Sequence, residues 1–237
     1  MLLNYLPILI ILSAVSYLSV QGKKLTLPAA VTGWAVGLLV FAGAGYTGVA
    51  MLAVFFALGT GATSWGMSAK QKLGLAEEDK GRRTSGQVLA NGGVAAILGV
   101  LIIAFPAKAN LFRVMMASAF ASATADTLSS EMGNIYGKNF YNVITFRKDT
   151  KGLDGVVSLE GTLIGIAGSI IIAAVYAAGD GLDINFLWIA VAGTVGNFSD
   201  SILGATLERG GFLHNNQVNF LNTAVAALIT FFLFLIN

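Results

Sequence analysis

The chain has 237 residues, of which 56% are hydrophobic and 11% charged, with a mean hydropathy of +0.77. Soluble domains carry about 25% charged residues, so the composition excludes the soluble enzyme classes and reads as one all-α polytopic membrane helix bundle spanning 1–237. The net charge of +2 gives no case for a nucleic-acid partner, and zero cysteines exclude disulfides, thiol nucleophiles and thiolate metal sites.

Apolar runs predict about eight transmembrane helices, roughly 2–20, 27–43, 46–62, 88–105, 112–131, 158–178, 186–207 and 217–236. The first run lacks a basic leader and Lys23 and Lys24 follow it, so it is expected to be a retained helix, not a cleaved signal. The second and third are separated only by Ala44-Gly45, which predicts a tight hairpin or a re-entrant pair. The 29 glycines suit close helix approach in lipid, as in Gly33-x-x-x-Gly37 and Gly161-x-x-x-Gly165.

With this count, twelve of the 14 Lys and Arg residues fall on one side of the membrane, leaving Lys108 and Arg113 on the other. The positive-inside rule makes the basic side cytoplasmic and both termini non-cytoplasmic. Long polar loops are then expected on the cytoplasmic side at 63–87 and 132–157. The absence of cysteine fits a prokaryotic inner membrane.

Two carboxylates interrupt the apolar runs, in ATADTLSSEMGN (123–134) and GNFSDSILGATLE (196–208). A carboxylate at membrane depth costs about 2.5–3.5 kcal/mol on insertion scales, which marks Asp126 and Asp200 as functional candidates. Asp126 and Ser130 share a helix face. Glu131 lies on another side and serves either as a third ligand or as a solvated helix-end residue. Asn197, Asp200, Ser201 and Gly204 form one polar stripe, which is either a site or an interhelical hydrogen-bond cluster. These hard oxygen donors suit Mg²⁺ or Mn²⁺ and not zinc. The expected metal set is Asp126, Glu131 and Asp200. The lone His214 reads as a loop residue.

Basic, glycine-punctuated loops run into two helix starts. The first carries Arg82, Arg83, Ser85, Gln87 and Asn91. The second carries Lys148, Lys151, Ser158 and Glu160. Helix N-termini and arginines bind phosphate, although anchoring and a Ser158 N-cap also account for these residues. Asn219 and Asn222 add amides at the start of the eighth span. Almost all the polar residues at membrane depth fall in the cytoplasmic half, which suits an amphiphile better than a conducting path.

The motifs RRTSGQVLANGG, ATADTLSSEMGN, DGVVSLEGTLIGIAGS, GNFSDSILGATLE and NNQVNFLNT occur in this order from residue 82 to 223. Together they resemble the family of transmembrane protein 19 and the plant and cyanobacterial phytyl-phosphate kinases, long a domain of unknown function. The match runs from about residue 28 to the C-terminus. The resemblance implies phosphorylation of an isoprenyl or phytyl monophosphate to the diphosphate. A wider similarity, to dolichol kinase and the phosphatidate cytidylyltransferases, rests on an Asp-Thr in a helix, a basic loop and a Glu-Gly, here Asp126-Thr127, Lys148 or Lys151, and Glu160-Gly161. The chain lacks the Ser-Pro pair of the cytidylyltransferases and has Asn197 where they often carry Asp, which favours a kinase.

The expected activity is therefore a lipid-monophosphate phosphotransferase using a nucleoside triphosphate, with CTP favoured. Asp126, Asp200, Glu160 and Lys151 are the expected catalytic set. Arg82, Arg83, Ser85, Asn91, Lys148, Ser158, Asn197, Ser201 and Asn219 are expected to hold phosphates. The expected partners are the nucleotide, a prenyl monophosphate and the bilayer, with a homodimer as an option. A transporter of a lipid phosphate or anion and a lipid cytidylyltransferase are the alternatives.

Overall fold

A computed structural model describes residues 5–72 and 81–236. Helix α1 (Leu6–Gln21) leads through a short turn into α2 (Leu27–Ser64). A straight helix of 38 residues would be about 57 Å long, far more than the ~30 Å of a bilayer core. Gly45 prevents this. Its φ of 62° and ψ of −149° fall where residues with a β-carbon are disfavoured, and the chain reverses there. The two limbs pack antiparallel: a β-carbon on Gly37 would lie 3.6 Å from Leu52 Cδ2, and Lys24 Nζ donates to Ser64 Oγ at 2.8 Å. Residues 27–62 therefore form a helical hairpin with its turn at Gly45.

The short α3 (Met67–Lys72) follows, then α4 (Ser85–Ala104), α5 (Ala109–Tyr136), α6 (Leu159–Asp180), α7 (Ile184–Leu203) and α8 (Asn215–Ile236). Thr84 and Gln87 start α4 with a reciprocal capping box, Thr84 N donating to Gln87 Oε1 at 2.8 Å. Gln87 is thus occupied by helix capping. A π-helical turn, Gly204–Glu208, continues α7.

Five helices among the described residues are long and apolar enough to cross a membrane: α2, α4, α6, α7 with its π turn, and α8. The helix over the predicted fifth span is less apolar for a physical reason. Every residue of α5 from Val114 to Ala125 is buried, and the helix packs on α2, α4, α6, α7 and α8. Its neighbours are protein and not lipid, so alanine, serine and methionine serve where leucine would otherwise stand. Interhelical hydrogen bonds join it to α8, with Thr230 Oγ1 donating to Ser118 Oγ at 2.6 Å and Ser122 Oγ to Asn222 Oδ1 at 3.0 Å.

One end of the bundle gathers the polar connections. Trp65 Nε1 donates to the Tyr136 hydroxyl at 2.9 Å, and Arg83 N donates to the Lys24 carbonyl at 2.9 Å. The α5–α6 connection carries strands β1 (Tyr141–Asn142) and β2 (Val156–Val157), paired antiparallel. At the opposite end Arg113 meets Asp180 at 3.7 Å. The predicted loop 132–157 therefore begins with the last turn of α5 and holds a small hairpin. Residues 73–80 of the predicted loop 63–87 lie outside the described residues.

Candidate functional site

Helices α5 and α6 approach closely where glycine permits it. A β-carbon on Gly161 would come 2.7 Å from the Ser129 carbonyl oxygen, and one on Gly165 would come 3.0 Å from the Ala125 carbonyl oxygen. This is the close crossing expected of Gly161-x-x-x-Gly165. The other pair is uneven, since a β-carbon on Gly37 would come 2.7 Å from Leu12 Cδ2 of α1. A β-carbon on Gly33 meets only Val88 Cγ1, at 3.9 Å, so no tight backbone contact depends on it.

Beyond the crossing a pocket of about 170 Å³ opens at the polar end of the bundle, walled by α5, α6, α7 and the 152–157 turn. Asp126 and Asp200 line it together, their carboxyl groups near enough to act on one another. Asn222 Nδ2 fixes Asp200 by donating to Oδ1 at 2.7 Å, and Ser122 in turn holds the Asn222 amide. On the other side Ser129 Oγ contacts Asn197 Oδ1 and its own helix carbonyl at Asp126, each at 3.1 Å.

Of the expected residues, Asp126, Asp200, Asn197, Ser201 and Ser158 line this pocket. Ser158 is also the N-cap of α6, its Oγ accepting from Gly161 N at 3.1 Å. Lys151 stands at the rim, its Nζ 5.5 Å from the centroid of Phe140, a lining residue. The remainder stand elsewhere. Glu160 accepts from Lys138 N at 3.3 Å, stapling the α5–α6 connection. Glu131, five residues on from Asp126, is not among the residues that line the pocket, so the expected set Asp126, Glu131 and Asp200 is not brought together there. No group of three metal-binding side chains occurs among the described residues. Arg82, Arg83, Ser85, Asn91, Lys148 and Asn219 do not line the pocket. Asn91 Nδ2 bonds the Gln87 carbonyl, and Asn219 donates to Asn215. Arg83 is buried over the Phe55 ring on the α2 side of the bundle.

Sequence reasoning noted Asn222 only as an amide at the start of the eighth span, and it missed Asp154 and Glu208. With them the pocket wall carries four carboxylates, Asp126, Asp154, Asp200 and Glu208, and no lysine or arginine. Asp154 sits in a Gly-Leu-Asp-Gly turn that reads as plain loop chemistry. Glu208 is brought round by the π turn, which no α-helical spacing anticipates. The Asn222 signal was present, since it lies on the eighth span facing the same polar level, but amides there also read as caps.

The turn itself is clamped. Arg209 Nε donates to the Asp154 carbonyl at 2.6 Å and Nη1 to Asp149 Oδ2 at 2.9 Å. The Thr150 backbone N–H and then the Arg209 guanidinium hold the Asp149 carboxyl below the usual carboxylate range.

Two carboxylates so placed repel unless a proton or a cation lies between them. An acidic pocket without a basic wall admits a phosphate only together with a cation. The residues present fit that need, since two carboxylates plus substrate phosphates and waters is the usual Mg²⁺ environment.

Comparisons with known proteins agree with the membrane reading. Residues 10–227 match the family described as Integral membrane protein DUF92. Protein VTE6, chloroplastic, of Arabidopsis thaliana is 34% identical over 82% of this chain, which spans 60% of that protein's length. An uncharacterized membrane protein of Synechocystis is 31% identical, covering 83% of this chain and 77% of its own. One of Methanocaldococcus jannaschii is 34% identical, covering 81% and 77%. No solved structure matches. The chain belongs to the integral membrane protein family DUF92.

Proposed function

We propose that the protein is a phosphotransferase that converts an isoprenyl or phytyl monophosphate to the diphosphate with a nucleoside triphosphate, CTP favoured. The pairing of Asp126 and Asp200 on the wall of one acidic pocket carries this reading, and the motif resemblance described above supports it. The same reading places eight helical crossings in the membrane, counting α1, both limbs of α2 and α5, with the pocket facing the cytoplasm and both termini outside, in a prokaryotic inner membrane.

In the reaction an oxygen of the acceptor phosphate forms a bond to the terminal phosphorus of the nucleotide. The bond from that phosphorus to the bridging oxygen breaks, and the nucleoside diphosphate leaves. Bound Mg²⁺ or Mn²⁺ would supply charge neutralisation between nucleotide and acceptor phosphates. Asp126 and Asp200 would hold it, and Asn222 and Ser122 keep Asp200 in one orientation. Asn197, Ser201 and Ser158 offer polar contacts to phosphate oxygens, and Lys151 supplies positive charge from the rim. An acceptor that is already an anion needs no general base, so catalysis here is positioning and electrostatics.

A transport path would continue across the bundle. Beyond the carboxylates, however, α5 is sealed by fully buried Met116, Ala117 and Phe120. The test is purified protein with Mg²⁺, labelled CTP or ATP and isoprenyl monophosphates of several lengths. Formation of diphosphate, abolished in Asp126→Asn and Asp200→Asn, is the expected result. No product from folded protein, or full turnover by both variants, overturns the proposal.

A further inference from the structure

The connection between α5 and α6 folds back on itself before it reaches α6. Asn142 N donates to the Arg147 carbonyl at 2.9 Å and Asp149 N to the Phe140 carbonyl at 3.1 Å, which ties 140–142 to 147–149. Asn142 is buried and builds the tip from within. Its Oδ1 accepts from Ile144 N and Thr145 N, each at 3.0 Å, and its carbonyl accepts from Phe146 N at 2.9 Å. The tip is thus held in one shape by its own backbone bonds, yet the side chains it presents are apolar. Ile144 is 46% exposed and Phe146 81%.

Phe146 also carries a φ of 54°, in the left-handed region where glycine or asparagine is the ordinary occupant and a bulky residue is an outlier. Burial against the rest of the chain would offset that strain, but this ring has little. A strained backbone and an exposed ring therefore coincide at one residue, which points to a contact outside the chain. Positive charge lies beside it. Arg147 and Lys148 follow directly and are exposed, while the adjacent carboxylate, Asp149, is engaged by Arg209 at 2.9 Å. The tip also lies close to lipid. Tyr141 pairs with Val157, and Val157 immediately precedes Ser158, the N-cap of α6. That helix is long and apolar enough to cross a membrane, and Leu159 and Leu163 in its first turns are exposed. The apolar tip begins three residues past Tyr141, a reach of about 10 Å at the strand rise. The headgroup layer on each face of a bilayer is about 5–8 Å deep.

We infer that the 143–148 tip docks on the bilayer surface around the protein, with Ile144 and Phe146 entering the interface and Arg147 and Lys148 meeting anionic headgroups. Apolar side chains flanked by basic ones are the composition of segments that lie in this layer. Each basic residue strengthens contact with an anionic leaflet by about fivefold. An acidic protein partner would suit the charge as well, but the short reach from the lipid-facing start of α6 favours lipid. The inference requires only that the polar end of the bundle lies at a membrane surface, and it stands whether or not the protein transfers phosphate.

The chain has no cysteine, so Thr145→Cys carrying an environment-sensitive fluorophore reports on the tip alone. The labelled full chain is placed in nanodiscs of phosphatidylcholine, with or without phosphatidylglycerol, and a nitroxide-bearing lipid serves as quencher. In the anionic discs the label is expected to emit to the blue of its position in water and to be quenched. Arg147→Gln together with Lys148→Gln should lower the ratio of docked to free tip by about 25-fold, and neutral discs should weaken docking in the same direction. Phe146→Asn should lower it by about tenfold, for the loss of a ring removed from water. The melting temperature of that variant in detergent should stay level or rise, because asparagine accepts the left-handed backbone. A label as exposed to water in anionic discs as in detergent overturns the inference and leaves the tip to a protein partner. Equal quenching in neutral and anionic discs, or unchanged quenching in Phe146→Asn, also overturns it.

Discussion

Replacing Gly161 by alanine puts a single methyl into the tightest part of the α5–α6 crossing. Its β-carbon would stand 2.7 Å from the Ser129 carbonyl oxygen and 3.1 Å from both Gly133 Cα and Ser158 Oγ. Two of these neighbours are backbone atoms and cannot rotate away, so the helices must separate by several tenths of an ångström. Overpacking of this kind costs about 1–3 kcal/mol, offset by up to about 1 kcal/mol from the higher helix propensity of alanine. The net loss is roughly 1–2 kcal/mol, or about 2–8 °C in melting temperature for a chain of this size. Ser129, Gly133 and Ser158 line the carboxylate pocket, so turnover should fall with stability. Gly33→Ala is the control, since its β-carbon meets one side-chain carbon at ordinary distance and should leave melting unchanged or raise it slightly. Differential scanning fluorimetry in detergent reads both. Equal melting of the two variants, or a larger loss in Gly33→Ala, would refute the reasoning from the crossing.

Asn222→Leu removes the 2.7 Å bond to Asp200 and the Ser122 contact. It should cost roughly 1.5–3 kcal/mol, the usual worth of a hydrogen bond to a charged group, and should lower turnover; a variant that melts and turns over like wild type contradicts the assigned support. Ser118→Ala and Thr230→Val, tested singly and together, should show a coupling of about 0.6 kcal/mol, as is typical between membrane helices. The Asp149 carboxyl is held below its ordinary value, so what the Arg209 clamp contributes is present above the usual aspartate range near pH 3.9 and is lost as the pH falls below it. Pepsin should therefore leave 143–153 intact at about pH 5 in wild type and cut it in Arg209→Gln; cleavage that is alike in both would show that the clamp does not hold the turn.

Much of the architecture was visible in the hydropathy pattern, because each apolar run maps to one helix or one helix limb and Gly45 breaks the longest of them. The membrane-depth cost of Asp126 and Asp200 marked them as a pair before any coordinates, and helical spacing put Asn197 and Ser201 beside Asp200. The reasoning from loops divides: Ser158 lines the pocket, whereas Arg82 and Arg83 do not. Arg82 and Arg83 precede a helix start, which suggested phosphate, but a helix start says nothing about which neighbours surround it. The pairing of Arg83 with Lys24 and Thr26 turns it toward α2. Glu131 is not among the pocket residues, and its five-residue spacing from Asp126 already sets it on another side of the helix. Asp154 and Glu208 reach the pocket through a turn and a π-helical step, and neither leaves a regular spacing to read.

The central claim is that Asp126 and Asp200 together hold the cation that lets phosphate enter an acidic pocket. Titrating Mn²⁺ into the purified protein and following the free-ion signal by electron paramagnetic resonance tests it directly. One site per chain is predicted, strengthened by nucleotide, lost in Asp126→Asn and in Asp200→Asn, and retained in Glu131→Gln. Unchanged Mn²⁺ binding in both aspartate variants, with melting like wild type, would contradict it.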